Sequence, residues 1–261
     1  MSKKASFDFT NVDLTFHIDE NIAILKIGKR IFDDVTDLDK KKQILSFYDS
    51  IEKDSKIKAL LIINENGSFD EVAHSRFMAK ISGADTNFHN SLEMSALYAK
   101  TGLPREINFL HDIIRKMVNL KKIVIGALQG IIVTPFFGIS LSADLRFATK
   151  DMRFSLAHFK YGMHPTGALP FFLHRYLGQG KTVELLLKGE YISANKALKL
   201  GLVNEIFSND NFESRCIEET KRICRIDTTL MKRTKILTYY FKKELESYLK
   251  LESGFIKYGY Y

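Results

Sequence analysis

The side chains best suited to chemistry near neutral pH are the seven histidines and two cysteines of this 261-residue chain. Imidazole exchanges protons near neutrality, and two of the histidines, His158 and His164, stand six residues apart. His111 and three other histidines form no group with polar residues, so we expect them on the surface or in the core. No two histidines and a carboxylate share the spacing of metal ligands, and the sequence therefore predicts no metal site.

The two cysteines bear on the compartment in which the protein works. Cys216 and Cys224 lie eight residues apart in a segment whose pattern predicts a helix. A rise of about 1.5 Å per residue would separate them by roughly 12 Å, which is too far for a disulfide. The opening residues, MSKKASFDFTN, contain no apolar core, so no signal peptide is expected. We therefore expect a reducing compartment, the cytoplasm.

Strand and helix patterns alternate along the chain, and the elements that they predict must position any reactive side chains. A helix is expected to begin at Thr36, and a clean helical stripe covers 107–117. The segment 65–103 is polar and weakly periodic, which predicts a mobile loop. Period-two patterns or short apolar runs predict strands at 12–18, 22–27, 58–64, 123–128 and 145–148.

One uncharged stretch is long enough to suggest a membrane span. It runs for 21 residues from Ile123 to Ala143. The stretch contains three glycines and Pro135, which favour a buried strand, a tight turn and the start of a helix. We therefore expect no membrane association.

Charge and composition restrict the class of protein and its partners. Apolar residues make up 45% and charged residues 27% of the chain, as in globular proteins. The net charge of +8 favours anionic partners, but basic residues on the C-terminal helices lack interleaved aromatic residues, which disfavours nucleic acid. The order of elements predicts an α/β fold with a core at 1–200 and a helical C-terminal region at 201–261.

Two long stretches carry a resemblance to a known family. Ile107–Ala148, with a helix, a buried strand, a glycine-containing turn and a second helix, resembles the signature of the crotonase (enoyl-CoA hydratase/isomerase) superfamily. Phe154–Phe207 continues the resemblance and ends with EYISANKALKLGLVNEIF. The resemblance implies a spiral of ββα units and a helical C-terminal region that assembles a homotrimer or hexamer.

The same resemblance implies an acyl-CoA thioester as ligand, with coenzyme A as part of the substrate and no separate cofactor. In this family two backbone N–H groups form an oxyanion hole, and two glutamates commonly act as acid and base. These features imply a lyase or isomerase of fatty acid metabolism. A weaker resemblance of FKYGMHPTGALPFFL to enzymes of polyketide β-branching makes a carrier-protein thioester an alternative ligand.

The residues at the two glutamate positions differ from the family pattern. Gly138 and His158 occupy these positions, and the acids between Ile131 and Pro170 are Asp144 and Asp151. Neither aspartate matches a catalytic position, and Asp144 is expected to have a structural role. The chain is therefore not expected to be an ordinary hydratase.

The oxyanion hole is altered as well. One donor position of the family is held by Pro135, which has no N–H. The N–H of Phe136, at the start of a helix, would replace it. Ala73 aligns with the second donor. The absence of the family's closing helix after Tyr261 predicts an open site, or one covered by a neighbouring subunit.

Other candidate residues come from their positions in the resemblance. Gly138 and His164 are expected to contact substrate. The basic residues Lys26, Lys29 and Arg30 are expected near the phosphates of coenzyme A, with solvated side chains at a strand end as the alternative.

Two functions stay open at this point. In the first, His158 transfers a proton in an enzyme acting on a CoA or carrier-protein thioester, and burial keeps its ring neutral so that it serves as a base. In the second, His158 is structural, and the protein is a noncatalytic acyl-CoA-binding homologue or the partner of another subunit.

Overall fold

The computed structural model describes residues 7, 9–82, 103–156, 158, 160 and 163–258. The strands are β1 (Leu14–Asp19), β2 (Ile22–Ile27), β3 (Ala59–Asn64), β4 (Ile123–Leu128), β5 (Ile131–Val133), β6 (Leu145–Thr149), β7 (Arg153–Ser155), β8 (Ile192–Ser193) and β9 (Glu205–Phe207). The helices are α1 (Ile31–Asp34), α2 (Leu38–Lys53), α3 (Glu71–Ser82), α4 (Leu103–Asn119), α5 (Thr134–Ser140), α6 (Leu169–Lys188), α7 (Ala194–Lys199), α8 (Phe212–Ile223), α9 (Thr228–Thr238) and α10 (Lys242–Tyr258).

Within the described residues, six strands form the main sheet in the order β1-β2-β3-β4-β6-β9. The hairpin of β1 and β2 is antiparallel, and the following neighbours pair in parallel. A smaller sheet has the order β5-β7-β8. Parallel strands covered on both faces are apolar along their whole length, as ALLIIN in β3 shows.

Helices cover both faces of the main sheet. On one face α2, α4 and α5 enclose a large core that includes Phe47 and Phe137, both fully buried. On the other face α8 packs through Phe212 and Cys216. The thiols of Cys216 and Cys224 are free and buried.

The start of α2 differs slightly from the prediction. Asp37, not Thr36, is the N-cap, and its carboxylate accepts hydrogen bonds from the N–H groups of Asp39 and Lys40 at 2.9 and 3.1 Å. Aspartate at this position satisfies two of the N–H groups that a helix start leaves without partners.

The prediction of a loop across 65–103 is wrong for 71–82, which form α3. Asp70 accepts a hydrogen bond at the start of α3, and Phe77 and Met78 are buried along one face. Two long apolar residues on a short helix outweigh its weak periodicity, because burial supplies most helix stability. Residues 83–102 lie outside the described part of the chain.

The uncharged stretch from Ile123 to Ala143 forms β4, β5 and α5, as its glycines and proline predict. In the described ranges, no helix combines the length and the apolar character needed to cross a membrane.

The predicted boundary between the core and the helical C-terminal region lies at residue 200, but residues on both sides of it pack into one hydrophobic core. Beyond it, β9 pairs in parallel with β6, and α10 packs on α4 through Leu245 and Leu249. The region 201–261 thus adds a strand to the main sheet as well as helices.

Candidate active site

The loops that follow β3 and β4 meet at the carboxyl edge of the main sheet. Buried Asn64 donates from Nδ2 to the Gln129 carbonyl oxygen at 3.0 Å and accepts from the Gln129 N–H at 3.0 Å. Gln129 donates from Nε2 to the Asn64 carbonyl oxygen at 2.9 Å. Ligands of parallel sheets bind at this edge, and the amide pair fixes the two loops there.

Helix α5 begins at the same edge, directly after β5. The N–H of Val133 donates to the Phe69 carbonyl oxygen at 2.9 Å, which ties the helix start to the loop before α3. Val133 is the N-cap, and no side chain caps the first turn. Pro135 supplies no N–H, so the predicted donor at this position is the N–H of Phe136.

His158 lies beside the start of α5. Its Nδ1 is 2.8 Å from the Thr134 hydroxyl oxygen, which is 3.3 Å from the Ser155 carbonyl oxygen. When Thr134 donates to Ser155, the His158 Nδ1–H donates to Thr134, and Nε2 carries the lone pair that a base requires. Burial, followed by the nearby charge of His164, lowers the pKa of His158 to about 4, so the ring is neutral at pH 7.

His164 lies close to His158 and to the C-terminal helix. Its ring centroid is 5.6 Å from that of Phe255 on α10. Burial lowers the pKa of His164, and the charge of Glu252 partly offsets this change. The structure therefore brings the two predicted histidines together beside α5, under a helix that the same chain supplies.

Gly138 has a different place from the one predicted. An atom at its Cβ position would lie 2.2 Å from the Gly167 carbonyl oxygen and 2.9 Å from the Leu169 nitrogen. Gly167, with φ of 70°, is equally close to α5, because its own Cβ would lie 2.3 Å from the Pro135 carbonyl oxygen. Backbone fills the space beside Gly138, the position predicted for the first glutamate, and Gly138 is a point of close approach between α5 and this turn.

The second predicted oxyanion donor is already used within the protein. The Ala73 N–H donates to Asp70 Oδ1 at 2.7 Å, and the His74 N–H donates to the Asp70 carbonyl oxygen at 3.0 Å. These hydrogen bonds cap the start of α3. In the described conformation Ala73 therefore does not offer its N–H to a ligand, whereas Phe136 is not capped by a side chain.

Aromatic rings back the start of α5. The Phe136 ring stacks on Phe69 with centroids 3.9 Å apart and meets Phe32 edge-on at 5.1 Å. His74 lies against Phe32 at 5.4 Å, and burial lowers its pKa to about 4, against an opposing effect of the Glu71 charge. An apolar cavity of about 80 Å³ extends behind these rings, between the main sheet and α2 and α4.

The three basic residues predicted near the coenzyme A phosphates do not form one cluster. Lys26 pairs with Glu213 at 2.8 Å, on the sheet face that packs on α8. The Arg30 N–H donates to Asp13 Oδ2 at 2.7 Å, and its guanidinium Nε lies 3.7 Å from the same oxygen. Lys29 is exposed beside it. Lys29 and Arg30 lie where β2 ends, and both Lys26 and Arg30 face a carboxylate of the same chain.

Glu71 is a carboxylate near the site that the sequence analysis did not single out. It accepts hydrogen bonds from Ser155 Oγ at 2.7 Å and from Lys160 and Tyr191. Burial alone would raise the pKa of Glu71, but the hydrogen bonds from these three side chains and the Lys160 charge outweigh it and lower the pKa. Glu71 therefore acts as an ionised link between α3 and β7.

Sequence patterns did not single out two further buried acids, Glu252 and Glu106, or the contact of His111 with Glu252. His111, expected to be isolated, lies with Nε2 2.9 Å from Glu252 Oε1, and both side chains are buried. Burial raises the pKa of Glu106 to about 8, and its Oε1 has no hydrogen-bond partner within the described part of the chain. Both acids interrupt an apolar helical stripe, and this interruption is the sequence feature that could have indicated buried acids. No group of three or more potential metal ligands occurs in the residues described.

Asp144 has the structural role that was expected. Its Oδ2 accepts from the Val124 N–H at 2.7 Å and from Lys235 Nζ at 2.7 Å. Lys235 also donates to the carbonyl oxygens of Met117 and Lys122 at 3.0 Å each. This buried group joins α9 to the main sheet, away from His158.

Known proteins resemble this chain in sequence and in fold. It is 25% identical over 180 residues to 4-chlorobenzoyl coenzyme A dehalogenase-1 of Arthrobacter sp, covering 69% of this chain and 60% of that protein. It is 24% identical over 214 residues to trans-2-decenoyl-[acyl-carrier-protein] isomerase of Streptococcus mutans, covering 80% and 76%. The match to the dehalogenase thus spans less than two thirds of that relative's length.

The fold and the family follow from two further comparisons. An enoyl-CoA hydratase from Bacillus halodurans superposes with a TM-score of 0.72 and 18% identity, over 92% of each chain. The sequence pattern of the enoyl-CoA hydratase/isomerase family matches residues 82–259, which include α4, α5, His158 and α10. The chain belongs to the enoyl-CoA hydratase/isomerase family, within the crotonase superfamily.

Proposed function

We propose that this protein binds an acyl thioester of coenzyme A or of a carrier protein at the start of α5, and that it does not hydrate enoyl thioesters by the two-glutamate route. The contact of Gly138 with the Gly167 backbone supports the absence of two-glutamate hydration, because no side chain fits where the first glutamate would stand. The position of the second glutamate holds His158, whose ring is neutral at pH 7.

The choice of an acyl thioester rests on the relatives. One is named as acting on a coenzyme A thioester and another on a carrier-protein thioester. In this chain, exposed Lys29 and Arg30 at the end of β2 favour the phosphates that both ligands carry. No separate cofactor is proposed, and the expected compartment is the cytoplasm.

A second candidate function is proton transfer by His158. It is favoured by the hydrogen bond from Nδ1 to Thr134, which holds the ring beside the helix start. At pH 7 a neutral imidazole is in the form that can accept a proton and not in the charged form that donates one. Removal of a proton next to the thioester, or assistance to an attacking water, fits that property.

Crotonyl-CoA hydration by the purified protein is expected to be close to the uncatalysed rate. Loss of a general acid or base costs about 10²–10⁴ in rate, and loss of an oxyanion donor costs about 10²–10³. These factors do not simply multiply, but two missing glutamates and a proline at a donor position remove most of a hydratase's advantage. The measurement is loss of the enoyl absorbance with time, alongside a thermal-shift titration with acetyl-CoA.

A thermal shift without turnover supports binding alone. Turnover on another thioester that His158→Gln abolishes, with the shift retained, supports proton transfer. Hydration at an ordinary enzymatic rate would contradict the proposal for Gly138, and the absence of any shift with acetyl-CoA or with an acylated carrier protein would contradict thioester binding.

We further propose that the protein is a homotrimer or a hexamer. Leu237 and Tyr240 are 74% and 78% exposed at the end of α9, and Ile236 and Leu230 are half exposed or more. A cavity of about 560 Å³ between α6 and α9 continues this apolar surface. Leu245 and Leu249 take no part, because they are buried against α4 within the chain.

Light scattering at micromolar concentration is expected to give three or six times the mass of the 30.0 kDa chain. Exposed apolar patches of this kind are typical of subunit interfaces. Leu237→Lys together with Tyr240→Lys should lower the measured mass, whereas Leu251→Lys on α10, at another exposed apolar position, should not. A monomeric wild-type protein would contradict the assembly.

A further inference from the structure

A buried carboxyl group from the last helix reaches the turn between β7 and α6. Glu252 on α10 is 2% exposed. Its Oε1 accepts from the Gly167 N–H at 2.9 Å, and its Oε2 accepts from the Ala168 N–H at 3.0 Å. Two adjacent N–H groups therefore bind one carboxyl group in a bidentate manner. Gly167 and Ala168 precede Glu252 by 85 and 84 residues in the sequence.

The geometry of the turn requires such an acceptor. Gly167 and Ala168 have φ values of 70° and 55°, both in the left-handed region. Ala168 is the N-cap of α6, and its side chain supplies no hydrogen bond to the helix. Two successive left-handed residues point their N–H groups to one side, where an anionic group can bind both. For Ala168 this conformation costs about 1 kcal/mol, which the hydrogen bonds offset.

His111 lies against the carboxyl group of Glu252. Its Nε2 lies 2.9 Å from Glu252 Oε1, and its Nδ1 lies 3.3 Å from Ser253 Oγ. Both ring nitrogens are therefore used within the protein. The His111–Glu252 pair resembles the orienting half of a catalytic group, but His111 has no nitrogen left for a ligand, so its contribution is structural support of the carboxyl group.

The same turn sets the position of α5. The Gly167 carbonyl oxygen fills the space beside Gly138, and the Gly167 Cα lies against the Pro135 carbonyl oxygen. These contacts are between backbone atoms, so they cannot adjust by a change of rotamer. A displacement of the turn would therefore displace the first turn of α5, which contains the Phe136 N–H.

We infer that Glu252, held by His111, is a positioning residue that fixes the Gly167–Ala168 turn and through it the Phe136 N–H that receives the thioester oxygen. The inference rests on the proposed thioester binding and adds the residue pair that sets its geometry. Helix α10 thus takes part in the site through a carboxyl group, without any contact of that group with the ligand.

The test compares two ligands that differ only at the thioester carbonyl. Acetyl-CoA carries the oxygen, whereas S-ethyl-CoA has a CH₂ group in its place. The wild-type protein should bind acetyl-CoA more tightly by roughly 2- to 12-fold, the range for one net hydrogen bond. Glu252→Gln places an NH₂ group against one of the two backbone N–H groups, and the preference should fall towards one while affinity for S-ethyl-CoA is retained.

Carbonyl polarisation gives a second measurement. The stretching frequency of acetyl-CoA labelled with ¹³C at the carbonyl falls when the oxygen accepts a hydrogen bond. Bound to Glu252→Gln, the label should absorb at a higher frequency than when bound to wild type. A merely destabilised protein with an intact site would keep the wild-type frequency.

Glu246→Gln is the matched control, because Glu246 lies on the same helix and also contacts α4, through Arg115 at 3.0 Å, but does not reach the turn. It should keep the wild-type preference and frequency. If Glu252→Gln does not fold, His111→Phe serves instead and should lower the preference, whereas His111→Gln retains an N–H donor for Glu252 and should preserve it.

The outcomes separate the two proposals. An unchanged preference in folded Glu252→Gln or in His111→Phe overturns the positioning role and leaves thioester binding intact. Equal affinity of wild type for the two ligands also overturns it, because Phe136 then does not receive the oxygen. Failure of wild type to bind either ligand overturns thioester binding and the inference together.

Discussion

Gly138→Glu, which places a carboxylate at the position predicted for the family's first acid/base group, is expected to unfold the protein instead of making it a hydratase. The added Cβ alone would lie 2.2 Å from the Gly167 carbonyl oxygen and 2.8 Å from the Gly167 carbonyl carbon. Both are backbone atoms that Glu252 holds in place. Overpacking and the burial of an unpaired charge together should lower the free energy of unfolding by more than about 4 kcal/mol.

Urea unfolding followed by circular dichroism measures this change. Gly180→Ala in α6 is the matched control, because no atom lies within 4 Å of its added Cβ. That variant should be as stable as wild type or more stable by up to about 1 kcal/mol. A folded Gly138→Glu variant of wild-type stability would show that the turn can move away from α5, and crotonyl-CoA hydration by it would overturn the proposed block.

Stability should depend strongly on pH between 4 and 6.5. Burial lowers the pKa of His74 and that of His158 from 6.5 to about 4 in the folded protein. In this window the unfolded chain binds protons that the folded chain does not, so the free energy of unfolding rises with pH and is lost as pH falls. Each histidine should account for about 3 kcal/mol of the loss by pH 4.

Glu106 acts in the opposite direction, over a pH window that overlaps that of the histidines and extends above it. Burial raises its pKa from 4.5 to about 8, so the folded protein keeps a proton that the unfolded chain releases, and stability falls as pH rises through this range. The combined profile should reach its maximum near pH 6.5. Urea unfolding at a series of pH values measures it.

Variants assign the two limbs of the profile. His74→Phe, which keeps a ring against Phe32, should remove about half of the histidine contribution to the acid limb, and Glu106→Gln should flatten the alkaline limb. A wild-type profile without slope between pH 4 and 6.5 would show that these histidines are not buried in neutral form.

Local sequence patterns were sufficient to predict most of the fold. Each of these patterns indicates which face of one element is buried, and it can be read from residues that are neighbours in sequence. Examples are the alternation in β1, the apolar runs in β3 and β4 and the stripe of α4. The resemblance also predicts His158 and His164 as site residues, because it fixes their sequence positions relative to α5. For α3, the prediction failed where a few buried residues on a short helix outweigh polar composition.

The parts of the site that depend on distant backbone were not predictable in this way. Alignment placed Gly138 at a catalytic position, but only the turn at Gly167 shows that no side chain fits there. Ala73 aligned with a donor position of the family, but its N–H donates to the nearby Asp70 carboxylate. Glu252 and His111 are 141 residues apart in sequence, and nothing local to either residue indicates the other. An acid on an apolar stripe was the available sign.

The long sequence separation of Glu252 from its turn has a consequence for the order in which a newly made chain matures. Once Gly167 has been added to the growing chain, 85 further residues must be added before its acceptor exists. At about 5–20 residues per second, this interval lasts roughly 4 to 17 seconds. During that time strands β1 to β7 are already synthesised, while the left-handed turn has no carboxyl group to hold it. Ligand competence is therefore among the last properties that the nascent chain acquires.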